Sequence, residues 1–221
     1  MDKIIVIVII IVLCLIGFYQ IIKRIKSFNE KYTFAIEYLD ALKSYLESNG
    51  QDIQSYSWLI NRSNKMQNQM GSQGILGFYR PPYQNFAIPN YPLILNMLPD
   101  LRNALCDSYL SSSLAGQYSS TLQEAIIRHI GSIEDAISIQ KKYFKNPFVW
   151  LRQGIRILLS LPANLLNWLG IITVAAVNKY NSSIIYKILY SIITIIGLIS
   201  AIMTIVLGWN DFLSIIKALI Y

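Results

Sequence analysis

Few of the 221 residues could do chemistry, and they are scattered along the chain. His129 is the only histidine. A general base needs a nucleophile or an orienting group within hydrogen-bond reach. On a helix that partner would stand one turn away, and neither Glu124 nor Asp135 is four residues from His129. A structural histidine is the expectation. Cys14 lies in an apolar run and Cys106 outside it, a placement that suggests neither a disulfide nor a metal site. Glu134 and Asp135 are adjacent and so point in different directions on a helix. Glu37 and Asp40, followed by Lys43, read as an ordinary solvated face. No phosphate-cradling loop and no nucleophile elbow is present. The expectation is a non-enzymatic protein with no catalytic, cofactor-binding or metal-ligating residues.

The elements that would hold any site are more legible. Hydrophobic residues make up 54% of the chain and charged ones 14%, against about 25% in an average soluble domain. The apolar excess sits at residues 4–22 and after residue 147. Residues 4–22 carry no charge, and their 19 positions just cover a hydrocarbon core of about 30 Å. Basic residues follow this run (Lys23, Arg24, Lys26, Lys31), and no small-x-small cleavage site closes it. An uncleaved anchor therefore fits better than a signal peptide. The charge order places the N-terminus outside and the soluble part in the cytoplasm of a bacterial-type inner membrane.

A second span is predicted within 184–208, with Tyr186 and Tyr190 at one interface and Trp209 at the other. Gly197 and Ala201, four apart, could make a close-packing helix face. Neither predicted span holds an acidic residue, which disfavours a proton or cation carrier. Between them, residues 147–180 read two ways. Phe148, Leu151, Ile155, Leu158 and Leu159 recur at helical spacing opposite a stripe of Arg152, Arg156, Ser160, Asn164 and Asn167. That pattern favours a helix lying in the interface, with Trp150, Arg152, Arg156 and Trp168 among the headgroups. The run 157–177 is also apolar enough to be a third span. Residues 209–221 form a tail.

Residues 23–146 read as a soluble helical domain. Ile25, Phe28, Tyr32, Ala35, Leu39, Leu42 and Leu46 follow heptad steps, stopped by Asn49-Gly50. This is a coiled-coil seam or, preferably, one helix of an intrachain bundle. A second helix over 52–70 shows an exposed face of Asn61, Asn64, Gln67, Asn68 and Gln69. Glycines and prolines make 71–92 a long loop studded with aromatics, with no persuasive strand. Its Phe78, Tyr79, Arg80, Tyr83, Phe86 and Tyr91 are the candidate partner-binding residues. A helix starting after Pro92 is interrupted at Pro99, and Ser111–Ser113 with Gly116 loosen the chain. A capping box at Ser120 or Thr121 starts the last soluble helix, which Asn146-Pro147 ends.

The predicted fold is all-α: an integral membrane protein with a cytoplasmic antiparallel helical bundle between N-terminal and C-terminal transmembrane helices. The net charge of +7 is placed beside membrane entry points, so lipid rather than nucleic acid is the expected counterpart. A non-enzymatic interaction or scaffold role follows, with a protein partner or a second copy of the chain. The alternative is a membrane effector, a toxin or defence component that oligomerises and perturbs the bilayer.

The stretch Ser160-Leu161-Pro162-Ala163-Asn164-Leu165-Leu166, and more loosely Pro92-Leu93-Ile94-Leu95-Asn96-Met97-Leu98, resembles the Phe-Pro-x-Asn segment of the LemA family of bacterial membrane proteins. The resemblance covers these short stretches and the order of anchor, then bundle. It implies an anchored helical bundle and no catalytic residues. The chain departs from that pattern in its second apolar span and its aromatic loop.

Overall fold

The computed structural model describes residues 2–82, 84–106, 111–188, 190–197, 199–200 and 203. The described residues are all-α apart from one short hairpin. In order it forms α1 (Asp2–Glu47), α2 (Ile53–Met70), a 3-10 turn (Gly71–Gly74), β1 (Ile75–Tyr79), β2 (Ile88–Pro92), α3 (Leu93–Cys106), α4 (Ser111–Phe144), α5 (Pro147–Trp168) and α6 (Val174–Ser182). A further apolar helix, α7, covers Ile184–Gly197. Two compact units result, one of Lys26–Ser138 and one of Met1–Ile25 with Ile139–Tyr221. Helices α1 and α4 each contribute to both units.

The Lys26–Ser138 unit is a helical bundle with a hairpin. Asn49 and Gly50 take positive φ (50° and 81°) and stop α1, and the Gly50 N–H donates to the Tyr45 carbonyl at 3.0 Å. Asp52 caps α2 by accepting from the Ser55 N–H at 3.0 Å. The α1 face buries Ala35, Leu39 and Leu42 of the predicted heptad, and also Phe34, Tyr38 and Tyr45. That face is wider than a coiled-coil seam and suits a bundle helix. It meets Leu59 and Met66 of α2, Ile94, Leu98 and Leu101 of α3, and Leu122, Ile126 and Ile133 of α4 in one core. The Tyr38 hydroxyl donates to the Leu59 carbonyl at 3.2 Å, which pins α1 to α2.

Four expectations are corrected in this unit. Residues 71–92 are not a structureless loop: β1 and β2 pair antiparallel, Leu76 opposite Tyr91 and Phe78 opposite Pro89. A two-stranded ribbon is all edge, so it tolerates the prolines that a central strand excludes. Pro99 does not interrupt α3, which runs through it. Burial of Ile94, Met97, Leu98 and Leu101 offsets the missing hydrogen bond, a proline cost of about 3 kcal/mol. Ser113, Gly116 and the Ser120/Thr121 box lie inside α4. There the Ser120 and Thr121 hydroxyls donate back to the Gln117 carbonyl, so the helix satisfies them internally and no cap forms. Gln67, expected on the exposed face of α2, is 7% exposed, because two buried backbone groups claim its amide.

In the other unit α1, α5 and α7 form the apolar part. Asn146 caps α5 with Pro147 at its first position. The apolar run 157–177 is two helices: α5 ends at Trp168, Gly170 turns at φ 73°, and Thr173 caps α6. The Asn167 amide donates to the Ile172 carbonyl at 2.8 Å and closes that turn. Among the described residues one helix, Val8–Glu47, is long and apolar enough to cross a membrane, and its apolar window is only 11% buried. A core helix of a soluble protein would be mostly buried.

Candidate interaction surfaces

The aromatic segment is divided by its strand geometry. Tyr91 is 3% exposed, and its hydroxyl donates to Asp100 Oδ2 at 3.1 Å. Tyr79 packs on it with ring centroids 4.1 Å apart. Burial, with Asp100 beside Tyr91 and Tyr118 beside Tyr79, pushes both phenols well above their usual range. These two are structural anchors of the hairpin, not free recognition groups. Arg80 is exposed and braces the connection between the strands: its Nε donates to the Gln84 carbonyl at 3.0 Å and Nη2 to Asn85 Oδ1 at 3.4 Å. Phe78 and Phe86 are left, 80% and 56% exposed. Tyr83 lies outside the described residues. Of the predicted set, the structure leaves these two rings as the displayed apolar surface.

His129 sits in a polar seam. Gln69 Nε2 donates to the Lys31 carbonyl at 2.8 Å and lies 3.3 Å from His129 Nε2. His129 Nδ1 lies 3.0 Å from Gln73 Oε1. An amide donor on one side and an amide acceptor on the other select the neutral ring protonated at Nδ1. The Ser132 hydroxyl joins the network at the same Gln73 Oε1, 3.2 Å away, and lies 2.7 Å from the His129 carbonyl, so it meets Gln73 and the backbone rather than the imidazole nitrogens. Desolvation, with Lys31 nearby, lowers the His129 pKa below the ordinary 6.5. The unfolded chain thus takes up the proton first as pH falls. Stability should drop as pH falls below about 6.5 and level off beneath the depressed folded value. Denaturation midpoints at pH 7.5 and 5.5 should show this step, and His129→Gln should flatten it.

The residues predicted at a membrane interface fall into two groups. Trp150 is packed: its Nε1 donates to the Tyr143 carbonyl at 3.2 Å, and its ring meets Phe18 at 4.7 Å. Trp168 is 81% exposed. Arg152 and Arg156 are instead joined to the tyrosines of α7. Arg152 Nε donates to the Tyr190 hydroxyl at 2.7 Å, and the Tyr186 hydroxyl donates to the Arg156 carbonyl at 3.0 Å. The Tyr186 and Tyr190 rings stack with planes 5° apart. Two one-turn spacings, one on each helix, thus meet as a ladder. Trp209 and Ala201 lie outside the described residues.

Within the chain, Gly197 is not where the described helices pack most closely. A Cβ on Gly197 would meet Ile155 Cδ1 at 3.7 Å, an ordinary contact. A Cβ on Gly17 would sit 1.8 Å from the Trp150 carbonyl oxygen, and one on Gly154 2.0 Å from that of Leu13. Gly17 and Gly154 let α1 and α5 touch backbone to backbone. Neither glycine has a small partner four residues away, so the spacing rule passes over them.

Charge separates the units as well. Residues 1–25 and 139–221 carry eleven Lys or Arg against two Asp, a net of +9. Lys26–Ser138 carries eight against ten, a net of −2. Among the described residues, no group of three His, Cys, Asp or Glu could hold a metal ion. Comparison with known protein families, with curated proteins and with solved structures yields no match.

Proposed function

We propose that this chain is a membrane-anchored interaction protein without catalytic activity, holding a helical domain at the inner face of a bacterial-type membrane for a protein partner. The observation that carries the reading is α1. One uninterrupted helix has exposed apolar side chains toward its start (Val8, Ile9, Ile11, Val12, Leu15, Ile16) and buried core side chains toward its end (Phe34, Tyr38, Leu42, Tyr45). Only a non-aqueous surrounding suits the first set, whereas the second set builds a water-facing domain. Exposed isoleucines at 184, 185, 188, 192, 195 and 196 on α7 support a second membrane contact. Lys23, Arg24 and Lys26 after the apolar run support a cytoplasmic domain.

Phe78 and Phe86 are the recognition groups in this reading. The test is co-purification from membranes in mild detergent, comparing the native chain with Phe78→Ser/Phe86→Ser. Both rings are exposed, so the double change should cost under about 0.5 kcal/mol of stability yet remove the partner. Partner retention by the variant removes the hairpin from the reading. Full-length protein in the soluble fraction without detergent removes the anchor.

A second reading, a bilayer-perturbing effector, draws on α5, which exposes Phe148, Leu158, Leu161, Leu165 and Trp168 together with Arg152 and Arg156. Depolarisation of cells on expression favours it. Unchanged membrane potential and growth remove it.

A further inference from the structure

We propose that the membrane unit holds one anionic phospholipid, its phosphate taken by Arg24, Arg152 and Arg156 beside the Tyr186 and Tyr190 hydroxyls, and an acyl chain in the groove between α1, α5 and α7. The inference rests on the membrane-anchored reading above and names a ligand for that unit.

The cations come first. Arg152 is fixed by the Tyr190 hydroxyl, and Arg156 lies beside Tyr186 and within electrostatic reach of Arg24. Like charges gathered this way call for an anion. The unit cannot readily supply it. Its acidic residues are Asp2, 22 positions before Arg24 on α1, and Asp211, outside the described residues. Along a helix, 22 residues span about 33 Å, so Asp2 is far from Arg24. Guanidinium groups match phosphate oxygens through paired N–H donors. The ladder of Tyr186 on the Arg156 carbonyl and Tyr190 on the Arg152 carbonyl holds the arginine-bearing turns in place.

The groove comes second. A cavity of about 300 Å³ is lined by Ile10, Leu13, Ile155, Leu158, Ile193 and Gly197, among others. Its wall is almost wholly apolar, so water has few partners there. Tyr190 joins the two features: its ring is buried with Leu151 and Ile155, which line the groove, and its hydroxyl accepts from Arg152 Nε at 2.7 Å. A ligand on both features must therefore be anionic at one end and a hydrocarbon at the other. Basic pockets between membrane helices take anionic headgroups for the same reason.

The test uses the full-length chain purified in neutral detergent, with thermal melting and native mass spectrometry as readouts. Phosphatidylglycerol, phosphatidylcholine and inorganic phosphate are titrated separately. Phosphatidylglycerol should raise the melting midpoint and leave one lipid bound, while phosphatidylcholine does neither. Arg152→Gln/Arg156→Gln should abolish both effects, and Ile193→Trp, which fills the groove, should remove the bound lipid with the arginines intact. Lys141→Gln/Lys142→Gln/Lys145→Gln should leave the lipid bound, and equal loss in that variant would reduce the effect to general attraction and overturn the site. An equal response to phosphate alone would overturn the groove, and an equal response to phosphatidylcholine the headgroup site. A chain found in membranes but indifferent to phosphatidylglycerol sinks this proposal alone. A chain soluble without detergent sinks the anchored reading beneath it.

Discussion

Gly17→Ala should destabilise the unit built on α1, α5 and α7 by about 3 kcal/mol, the upper end of ordinary overpacking costs. On a lipid-facing or solvent-facing helix the same change gains about 0.8–1 kcal/mol, because alanine is the better helix former. The sign of the effect is therefore diagnostic. The added methyl would sit 1.8 Å from the Trp150 carbonyl oxygen and 2.8 Å from the Gly154 nitrogen. Both are backbone atoms, so no rotamer change relieves the overlap, and the helices must part. Parting them strips contacts from Phe18 on Trp150 and from Leu13 beside Leu151 and Ile155. Gly154→Ala should cost a similar amount from the opposite helix, against the Leu13 carbonyl oxygen at 2.0 Å. The double variant should cost less than the two singles together, since either one already opens the crossing. Thermal melting in detergent, read by circular dichroism, is the measurement. A midpoint raised by Gly17→Ala would mean that α1 and α5 do not touch there.

Gln67→Leu should cost the helical unit about 3 kcal/mol, for a different reason. The Gln67 amide donates to the Gly74 carbonyl at 2.8 Å and accepts from the Ile94 N–H at 2.9 Å. Gly74 and Ile94 are both buried, so water replaces neither bond. Each buried group left without a partner costs about 1–3 kcal/mol. Ile94 is the second residue of α3, where helix N–H groups have no partner inside the helix. Gln67 thus caps α3 from α2, and at the same time holds the turn that leads into β1. Gln67→Glu keeps the acceptor for Ile94 but loses the donor to Gly74, so at neutral pH it should also be destabilising, with a buried charge in place of the amide. Urea denaturation gives the magnitude, and faster hydrogen exchange at the Ile94 amide gives the location. A leucine variant within about 0.5 kcal/mol of the native chain would refute the capping role.

Much of the helical architecture was legible locally. The Ala35, Leu39 and Leu42 steps, the Asn49-Gly50 stop and the Asn146-Pro147 boundary all act within a turn or two of chain, and each appears where the periodicity and the caps put it. The corrected features share a dependence on distant partners. Gln67 looks like one more solvated amide until Ile94, 27 positions on, comes to meet it. Arg152 has no visible side-chain partner until Tyr190, 38 positions on, takes its Nε–H. Prolines 89 and 92 argue against strands unless β1 stands alongside to pair with them.

Sequence alone therefore decided most of the helices and the hydrophobic ends, because composition, helical period and capping are properties of short stretches. Only the tertiary structure decided which aromatics anchor the hairpin and which are displayed, which glycines carry the helix crossing, and which arginine bonds the Tyr190 hydroxyl. Those outcomes turn on contacts between residues remote in sequence, and their strength depends on burial that no local pattern encodes.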